Sequence, residues 1–486
     1  MTTLGRNNAC LPLDFENFSN AVNGKLVTTK ETRHGINPST LSPLPEVPLS
    51  TKEDVDYAVQ CAKLAFKGWS QTPILKRREA VINYANALSE QKQEFATLLV
   101  REQGKPMAVA LDEIERGVRW LTVQAQLPLD DKLIEETDDR LVLTRYMPLG
   151  VAAAIVPWNY PVMLACGKIA PALVTGNVLI MKPSPFTPYC GLKLAELAQR
   201  FFPPGVFQAL SGGDDLGPLL TEHPAIDKIS FTGSTATGKR VMESCSRTLK
   251  RVTLELGGND PAIVCADVDI RETVAKIAQL ALMNSGQVCI AIKRVYVHSS
   301  IYDDFLKELV EFTKTLTVGD GLGDAHLGPV QNSLQYQRVK HLLEDIRAEN
   351  LDVVTGPASL DLDAANRKGY FINPVIVSNP PDTSRVVTDE PFAPVFPILK
   401  WDTEEDVVRR ANGTDMGLGA SVWSRDLKKA AQIARLLEAG SVWVNNHAGV
   451  EPNAAFAGHK CSGIGAEWGV EGLRAFCNPQ TLFLQK

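Results

Sequence analysis

The sequence predicts an α/β fold in which parallel sheets are covered by helices on both faces. From residue 149 onward, short continuous apolar runs alternate with amphipathic stretches, which is the pattern of strands and helices in a buried parallel sheet. The chain has 486 residues, of which 44% are hydrophobic and 22% are charged. This is an ordinary globular composition, and at roughly 150 residues per domain the length predicts two or three domains.

Helical patterns begin after an N-terminal stretch of 50 residues that is polar and rich in turn formers. Thr51 has the side chain of an N-cap, and the acidic residues that follow it suit the first turn of a helix. This helix is predicted to run to Phe66. Two more helical segments are predicted over 74–103 and 106–126.

The alternating region predicts two sets of strands. The first set is 151–156, 177–182, 206–210, 228–231 and 251–256, and the helices between these strands are 161–174, 187–201, 216–222 and 236–249. The second set is 261–265, 294–297, 395–400, 420–423 and 441–444. The tail at 481–485 could be a strand at a sheet edge or on a partner subunit. Because parallel sheets bind ligands beyond the carboxyl ends of their strands, functional residues are expected just after strands.

Composition and charge argue against several classes of partner. The formal net charge is -6 and the chain has no stripe of Lys and Arg, so no nucleic-acid partner is expected. No apolar run approaches the ~18 residues of a membrane helix, and 1–14 lacks the pattern of a secretory signal. The nine cysteines include no Cys-x-x-Cys pair, which predicts reduced thiols in a cytoplasmic protein and no metal site.

The segment Phe-Thr-Gly-Ser-Thr-Ala-Thr-Gly-Lys at 231–239 follows a predicted strand and opens a predicted helix. Gly233 and Gly238 allow a tight turn, and the free N–H groups of a helix N-terminus suit a phosphate. The segment nearly matches a nucleotide-binding P-loop, but Arg240 stands where that loop has the hydroxyl that holds magnesium. A phosphate site of another kind is favoured, with a P-loop and a purely structural glycine turn as alternatives.

Three side chains near strand ends could carry out chemistry. Asn159 lies between two prolines, and its amide could donate to a developing oxyanion, with a rigid turn capped by Asn as the alternative. Glu255 lies between two leucines, where a dry site would raise its pKa and make it a base near neutral pH. The alternative for Glu255 is a salt-bridged strand residue. Cys289 follows a glycine-containing segment, and on its own it is equally consistent with a buried structural cysteine.

Together and in this order, these segments resemble the aldehyde dehydrogenase superfamily (NAD(P)-dependent, non-acylating) over nearly the whole chain. Cys289 comes 34 residues after Glu255, which is the spacing of that family. The resemblance is carried by 157–161 (Pro-Trp-Asn-Tyr-Pro), 182–184 (Lys-Pro-Ser), 231–235 (Phe-Thr-Gly-Ser-Thr), 254–258 (Leu-Glu-Leu-Gly-Gly), 286–289 (Gly-Gln-Val-Cys), 390–392 (Glu-Pro-Phe) and 462–465 (Ser-Gly-Ile-Gly).

The resemblance implies a subunit of three parts. A Rossmann-like NAD(P)-binding domain would comprise residues 1–124 and 149–255, and an α/β catalytic domain would comprise residues 256–450. A β-ribbon for oligomerisation would combine 125–148 with 451–486. A homodimer or homotetramer is expected, because the tail strand of family members completes a sheet in a neighbouring subunit.

The resemblance also implies the oxidation of an aldehyde to a carboxylate through a thiohemiacetal and a thioester on Cys289. Asn159 and the Cys289 backbone N–H would hold the oxyanion, and Glu255 would deprotonate the water that hydrolyses the thioester. The positions that match the family's cofactor contacts are Val156, Pro157, Trp158, Lys182, Ser184, Phe231, Gly233, Ser234, Thr237, Gly238, Leu256, Glu390 and Phe392.

NAD is the expected cofactor, with NADP as the alternative. Pro185 stands where many NAD-preferring members carry a Glu that repels a 2′-phosphate, and this keeps NADP open. No additional arginine adjoins Lys182 in the sequence, which favours NAD.

The positions that match the family's substrate tunnel are apolar or small, apart from one tyrosine hydroxyl. Gly167 stands where some relatives have a bulky aromatic residue, so a roomy tunnel for a medium-sized aliphatic or aromatic aldehyde is expected. A coenzyme-A-dependent acylating enzyme, a nucleotide hydrolase and a non-enzymatic binding protein are the alternative classes. The tunnel positions are Tyr160, Leu164, Gly167, Val288, Ile290, Val450 and Phe456.

Overall fold

The computed structural model describes residues 13–360 and 368–486. Residues 1–12, which include Cys10 and most of the segment searched for a secretory signal, lie outside the described residues. The α-helices are α1 (Lys52–Trp69), α2 (Ile74–Glu90), α3 (Lys92–Gln103), α4 (Met107–Gln126), α5 (Pro161–Val174), α6 (Tyr189–Ala198), α7 (Leu216–Glu222), α8 (Thr235–Ser246), α9 (Ile270–Leu282), α10 (Tyr302–Lys314), α11 (Ser333–Ala348), α12 (Arg385–Thr388), α13 (Glu404–Asn412), α14 (Leu427–Ala434) and α15 (Gly469–Arg474). Within the described ranges, no helix is both long and apolar enough to cross a membrane.

The strands form one large mixed sheet with a parallel centre, one large parallel sheet and several smaller antiparallel sheets. They are β1 (Asn20–Val22), β2 (Lys25–Val27), β3 (Thr32–Ile36), β4 (Pro43–Pro48), β5 (Lys132–Glu136), β6 (Arg140–Pro148), β7 (Val151–Ile155), β8 (Val178–Lys182), β9 (Phe207–Ala209), β10 (Lys228–Thr232), β11 (Arg251–Glu255), β12 (Asp260–Val264), β13 (Ile292–His298), β14 (Val375–Ser378), β15 (Val395–Trp401), β16 (Met416–Gly417), β17 (Gly419–Trp423), β18 (Ser441–Val444), β19 (His459–Lys460), β20 (Gly463–Ile464) and β21 (Cys477–Gln485).

The first helices begin where the sequence predicts them. The Thr51 side chain accepts from the backbone N–H of Asp54, and the Asp54 carboxylate accepts from Thr51 N at 2.8 Å. This capping box starts α1, which continues to Trp69, three residues beyond the predicted end. The single helix predicted over 74–103 is instead two helices, α2 and α3. They are separate because the backbone leaves helical geometry at Gln91 (φ -110°, ψ 22°).

Four short strands, β1 to β4, lie in the N-terminal stretch that the sequence pattern describes only as rich in turn formers. β1 pairs antiparallel with β9, and β3 forms a hairpin with β4. β4 begins at Pro43 and ends at Pro48. Prolines are rare inside strands because they cannot donate to the ladder, and this obscures the strand pattern in the sequence.

The larger sheet has the strand order β2-β1-β9-β8-β7-β10-β11-β20. The strands from β9 to β11 in this order are parallel, as the continuous apolar runs predict. The chain order reverses at β7, which has β8 on one side and β10 on the other. Such a reversal opens a crevice beyond the carboxyl ends of the strands. Asn159 follows β7 and Gly233 follows β10, so both lie at this edge.

The second sheet has the order β14-β15-β13-β12-β17-β18, and all of its strand pairs are parallel. Glu255 ends β11 in the first sheet, and Asp260 begins β12 in the second. Cys289 precedes β13, which is next to β12. The chain therefore carries Glu255 and Cys289 to the region where the two sheets meet.

The C-terminal tail pairs within the chain. β21 runs antiparallel to β6 from Cys477 opposite Pro148 to Gln485 opposite Arg140, in a sheet with the order β21-β6-β5. The strand begins four residues before the predicted 481–485 and lies at the edge of this sheet.

Candidate active site

Cys289 lies just before β13, after a turn with left-handed backbone. Asn284, Ser285 and Gly286 follow one another with φ values of 50°, 56° and 72°. A Cβ at Gly286 would lie 2.1 Å from the carbonyl oxygen of Ala393, so this approach requires glycine. Left-handed backbone at residues other than glycine costs free energy and persists where the fold holds it, often at active sites. The turn leaves the Cys289 side chain partly exposed between buried neighbours.

The Asn159 side chain contacts the same turn. Its Nδ2 donates one hydrogen to the carbonyl of Gln287 at 3.0 Å, so that the second hydrogen is left for another acceptor. The Asn159 backbone carbonyl accepts from Lys105 Nζ at 2.9 Å and from Asn284 Nδ2 at 3.3 Å. These bonds hold the Asn159 amide against the residues that precede Cys289. The sequence predicts that this amide is an oxyanion donor.

A buried ion pair that the sequence analysis does not predict fixes the Asn159 segment. Lys105 Nζ lies 2.5 Å from Glu113 Oε2, and both side chains are fully buried. Glu113 Oε1 accepts from the backbone N–H groups of Val162 and Met163 at 2.8 and 3.2 Å, at the start of α5. The Lys105 ammonium also lies 3.7 Å from the ring centroid of Tyr160. Removing one partner would leave a buried charge unpaired, which costs about 3–5 kcal/mol.

Glu255 ends β11 with a side chain that is only 3% exposed. Its Oε1 has no hydrogen-bond partner among the described residues, so one carboxylate oxygen is free to bind water. Burial, and then the negative charge of Glu467, hold the pKa of Glu255 well above its usual range, and Lys168 opposes them. Glu467 itself accepts from Lys168 Nζ and from Ser230 Oγ. The leucines beside Glu255 predict the direction of this pKa shift, whereas no sequence signal identified Lys168 and Glu467.

The Cys289 thiol is kept neutral at rest. Burial raises the pKa of Cys289 to about 12, and the carboxylates of Glu255, Glu390 and Asp260 act in the same direction. The positive charge of Lys293 opposes them. The thiolate is the reactive form of a cysteine, so burial works against the reactivity of this side chain and Lys293 works in its favour.

The predicted cofactor residues cluster at the carboxyl ends of neighbouring strands. Ser234 caps α8 by accepting from Thr237 N at 3.3 Å, and Gly238 packs so closely that a Cβ there would lie 2.4 Å from Leu256. Val156, Pro157 and Trp158 follow β7, Lys182 and Ser184 lie at the end of β8, Phe231, Gly233 and Ser234 lie at the end of β10, and Leu256 follows β11. The arrangement leaves the helix N-terminus of α8 open towards the cleft.

Glu390 and Phe392 reach this cleft from the second sheet. Glu390 Oε1 accepts from Gly258 N at 3.2 Å and lies 3.4 Å from Lys293 Nζ. Burial raises the pKa of Glu390, and Lys293 opposes the increase. The rings of Trp158 and Phe392 meet edge to face with centroids 5.3 Å apart. Two predicted cofactor contacts from separate sheets are thus brought together.

At the other end of the cleft, a charge from a distant segment weakens the sequence argument for NAD. Burial is the main cause that lowers the pKa of Lys182 to about 8, while the negative charge of Asp214 opposes the decrease and the positive charge of Arg33 adds to it. Arg33 belongs to β3, far from Lys182 in sequence, and its positive charge acts on Lys182. The negative charge of Asp214 acts on both cations. The sequence analysis did not identify Arg33 because β3 was not predicted.

Most of the predicted tunnel residues line the Cys289 side of α5. The exposed fraction is 9% for both Tyr160 and Leu164, whereas the other residues of α5 are buried more completely. Val288 and Ile290 flank Cys289, and all four belong to one hydrophobic core cluster. Val450 packs against the same cluster. The residues around the thiol are therefore mainly apolar.

The space beside Gly167 is filled, which contradicts the predicted roomy tunnel. A Cβ at Gly167 would lie 2.6 Å from Nε1 of Trp468 and 3.3 Å from Cδ1 of Trp120. Trp468 is buried with a left-handed backbone (φ 59°), and its ring stacks on Phe456 at 4.7 Å. Trp468 supplies the bulk that Gly167 lacks, from a position 301 residues later in the chain.

Comparison with known proteins agrees with this geometry. Residues 27–482 match the model of the aldehyde dehydrogenase family. Aldehyde dehydrogenase LUC3 of Fusarium sp. is 40% identical over 474 residues, which cover 98% of this chain and 100% of that protein. An aldehyde dehydrogenase of Bacillus cereus, solved as an NAD+ complex, is 33% identical with a TM-score of 0.93 over 97% of both chains. An NADP-dependent enzyme of E. coli is 31% identical with a TM-score of 0.93, covering 97% of this chain and 99% of that one.

The chain belongs to the aldehyde dehydrogenase family. It is an NAD(P)-dependent oxidoreductase that converts an aldehyde to the acid, with the α/β fold of that family. The residues present fit the cofactor. The capped N-terminus of α8 suits a pyrophosphate, and the buried Glu390 carboxylate suits ribose hydroxyls.

Proposed function

We propose that the enzyme oxidises a hydrophobic aliphatic or aromatic aldehyde through a covalent intermediate on Cys289. The observation that carries this proposal is that the Asn159 amide bonds to the Gln287 carbonyl, two residues before Cys289, and that the negative charge of the buried Glu255, one oxygen of which has no partner among the described residues, acts on the Cys289 thiol. A candidate nucleophile, oxyanion donor and base therefore belong to one neighbourhood.

The Cys289 thiolate adds to the aldehyde carbon. The negative charge that develops on the aldehyde oxygen is held by Asn159 Nδ2 and the Cys289 backbone N–H. The Lys105–Glu113 pair keeps the Asn159 segment in place, so the donor needs no reorganisation when the charge appears. When bound, the nicotinamide supplies the hydride acceptor, and Glu390 and Phe392 orient it.

Glu255 then removes a proton from water, and the hydroxide attacks the thioester carbon to release the acid and the Cys289 thiolate. Only the carboxylate form of Glu255 is a base, so hydrolysis quickens as the pH rises through its elevated pKa. Glu467, which accepts from Lys168 and Ser230, is the neighbouring carboxylate whose negative charge acts on Glu255.

The tunnel wall supports an apolar substrate of limited width. Phe456, Trp468 and Tyr160 present aromatic surface, and Leu164 presents aliphatic surface. A charged group buried against such a wall would lose its hydration without a partner, which is costly. Because Trp468 fills the space at Gly167, unbranched aliphatic or flat aromatic aldehydes fit better than broad ones.

The preferred substrate class is tested with an aldehyde panel that is followed by the absorbance of the reduced cofactor, with NAD and NADP in parallel. We expect apolar aldehydes to exceed betaine aldehyde and semialdehyde acids in kcat/KM by about tenfold or more. Cys289→Ala should abolish turnover, and Cys461→Ala, which removes the other partly exposed thiol among the described residues, should retain it. Turnover by Cys289→Ala, or a preference for charged aldehydes, would contradict the proposal.

Arg33 and Lys182 together suit the 2′-phosphate of NADP. Loss of one charged hydrogen bond to a phosphate costs about 1.5–3 kcal/mol, so Arg33→Met should lower kcat/KM for NADP by about tenfold or more. The value for NAD should change little, which makes NAD the internal control. Equal losses with both cofactors would show that Arg33 acts on folding or on the cleft as a whole.

The edge strand β21 supports assembly of several copies of this chain. Phe483 is 75% exposed and Leu484 is 45% exposed on a nine-residue edge strand. Long apolar edges of this kind pair with other chains unless they are covered. Light scattering should give the mass of a homodimer or homotetramer of the 53.0 kDa chain, and a stable single chain would contradict this assignment.

The cysteines support a cytoplasmic enzyme. Within the described ranges, all eight are free thiols and six of them are buried, which suits a reducing compartment. Fractionation of the source cells followed by an activity assay tests this location.

A further inference from the structure

Lys293 is a buried cation that the catalytic steps above leave unused. It lies in β13, four residues after Cys289, and its side chain is 3% exposed. Its Nζ donates to the backbone carbonyl of Val288 at 2.8 Å and to that of Cys289 at 2.6 Å. The same Nζ lies 3.4 Å from Glu390 Oε1. All three acceptors belong either to the nucleophile's own turn or to a proposed cofactor ligand.

This placement is costly to the fold. Moving an ammonium group out of water costs several kcal/mol, which the fold recovers only if the group finds a counter-charge and good hydrogen bonds. Lys293 finds its counter-charge and its hydrogen bonds at the active site. Ion pairs on the protein surface, in contrast, contribute little to stability. The side chain therefore connects the Cys289 turn to Glu390, across two segments about 100 residues apart in the chain.

We propose that Lys293 is a positioning residue whose buried ammonium holds the Cys289 turn against Glu390 and favours the thiolate form of Cys289. The proposal rests on the role of Cys289 as nucleophile. It names the group that activates a thiol for which the sequence offers no neighbouring histidine.

The charges around Cys289 explain why such a cation is needed. Glu255, Glu390 and Asp260 all face the thiol and disfavour a second negative charge there, in addition to burial. Asp260 Oδ2 lies 3.4 Å from His447 Nε2, so its charge is offset only when that histidine is protonated. Tyr160 is also close, but its own pKa lies well above its usual range and it stays neutral. Lys293 is a cation that donates a hydrogen bond directly to the backbone carbonyl of Cys289.

The same ammonium acts on Glu390. It opposes the increase in the pKa of Glu390 that burial causes, and so favours the charged carboxylate. A charged carboxylate accepts hydrogen bonds from ribose hydroxyls, whereas a protonated one has lost half of that capacity. Loss of Lys293 should therefore weaken cofactor binding as well as thiolate formation.

The test measures the reactivity of Cys289 without requiring turnover. Iodoacetamide alkylation of the Cys289 peptide is followed by mass spectrometry across a pH series in the full-length enzyme, its Lys293→Met variant and its Lys293→Arg variant. A cation within about 4–6 Å shifts a pKa by about 1–3 units, so loss of the Lys293 charge lowers the fraction of Cys289 that is thiolate. A thiol with a higher pKa gives an intrinsically more reactive thiolate, and this partly offsets the smaller thiolate fraction. We expect Lys293→Met to alkylate about three- to tenfold more slowly near neutral pH, and its rate to rise only at higher pH. Lys293→Arg should retain most of the wild-type profile.

Lys193→Met is the matched control. Lys193 is equally buried and binds the Asn17 carbonyl and Glu196, each at 2.6 Å, away from Cys289. This variant should leave the alkylation profile of Cys289 unchanged. Should Lys293→Met fail to fold, Lys293→Gln, which keeps an N–H donor without the charge, serves in its place.

Alkylation of the folded neutral variants at the wild-type rate would overturn the proposal. An equal decrease of the alkylation rate in Lys293→Arg would also overturn the proposal, because the loss of the positive charge would then not be the cause of the decrease. A titration with NAD provides a second measurement, the dissociation constant of the cofactor. The neutral variants should bind NAD several-fold more weakly. If instead Cys289→Ala retained turnover, the catalytic role of Cys289 would fail while the alkylation result still stood.

Discussion

The groups that could react lie buried in the region where the two sheets meet, and this burial governs their ionisation. Burial raises the pKa values of Cys289, Glu255 and Glu390, and so works against the charged form of each group. Two buried lysines oppose this tendency at separate places, Lys168 beside the Glu255–Glu467 pair and Lys293 beside Cys289 and Glu390. The chemistry depends on the balance between desolvation and these two cations.

The path of the chain places these groups. Four residues connect Glu255 at the end of one sheet to Asp260 at the beginning of the other, so the proposed base and the proposed nucleophile come to the same region from strands of different sheets. The Lys105–Glu113 pair adds a third point of support, because it fixes both the Asn159 carbonyl and the start of α5. Positions fixed in this way cost little reorganisation during the reaction.

Elements with strong local signals could be predicted from the sequence. The helices Pro161–Val174 and Leu216–Glu222 are predicted with both ends correct, since Pro161 suits a first helical position and Pro224 follows the second helix. Glu255 and Cys289 are found through motifs and their spacing. These signals are contained within a few residues, so a single sequence reveals them.

The contacts that the sequence did not reveal join distant segments. The positive charge of Arg33 acts on Lys182 from β3, a strand bounded by turn-like sequence. Trp468 fills the space beside Gly167 from the far end of the chain. A glycine indicates that room exists, but it does not indicate which residue will occupy that room. Such pairings follow from packing in three dimensions, and no local pattern specifies them.

The most direct test of the account is to stop the reaction after the nucleophile has acted. Glu255→Gln, incubated with an apolar aldehyde and NAD or NADP, is examined by intact mass spectrometry and peptide mapping. The account predicts one equivalent of reduced cofactor and one acyl group attached to Cys289, because the thioester forms but is not hydrolysed. Steady turnover by this variant, or an acyl group on any other residue, would contradict the assignment of Cys289 as nucleophile and Glu255 as base.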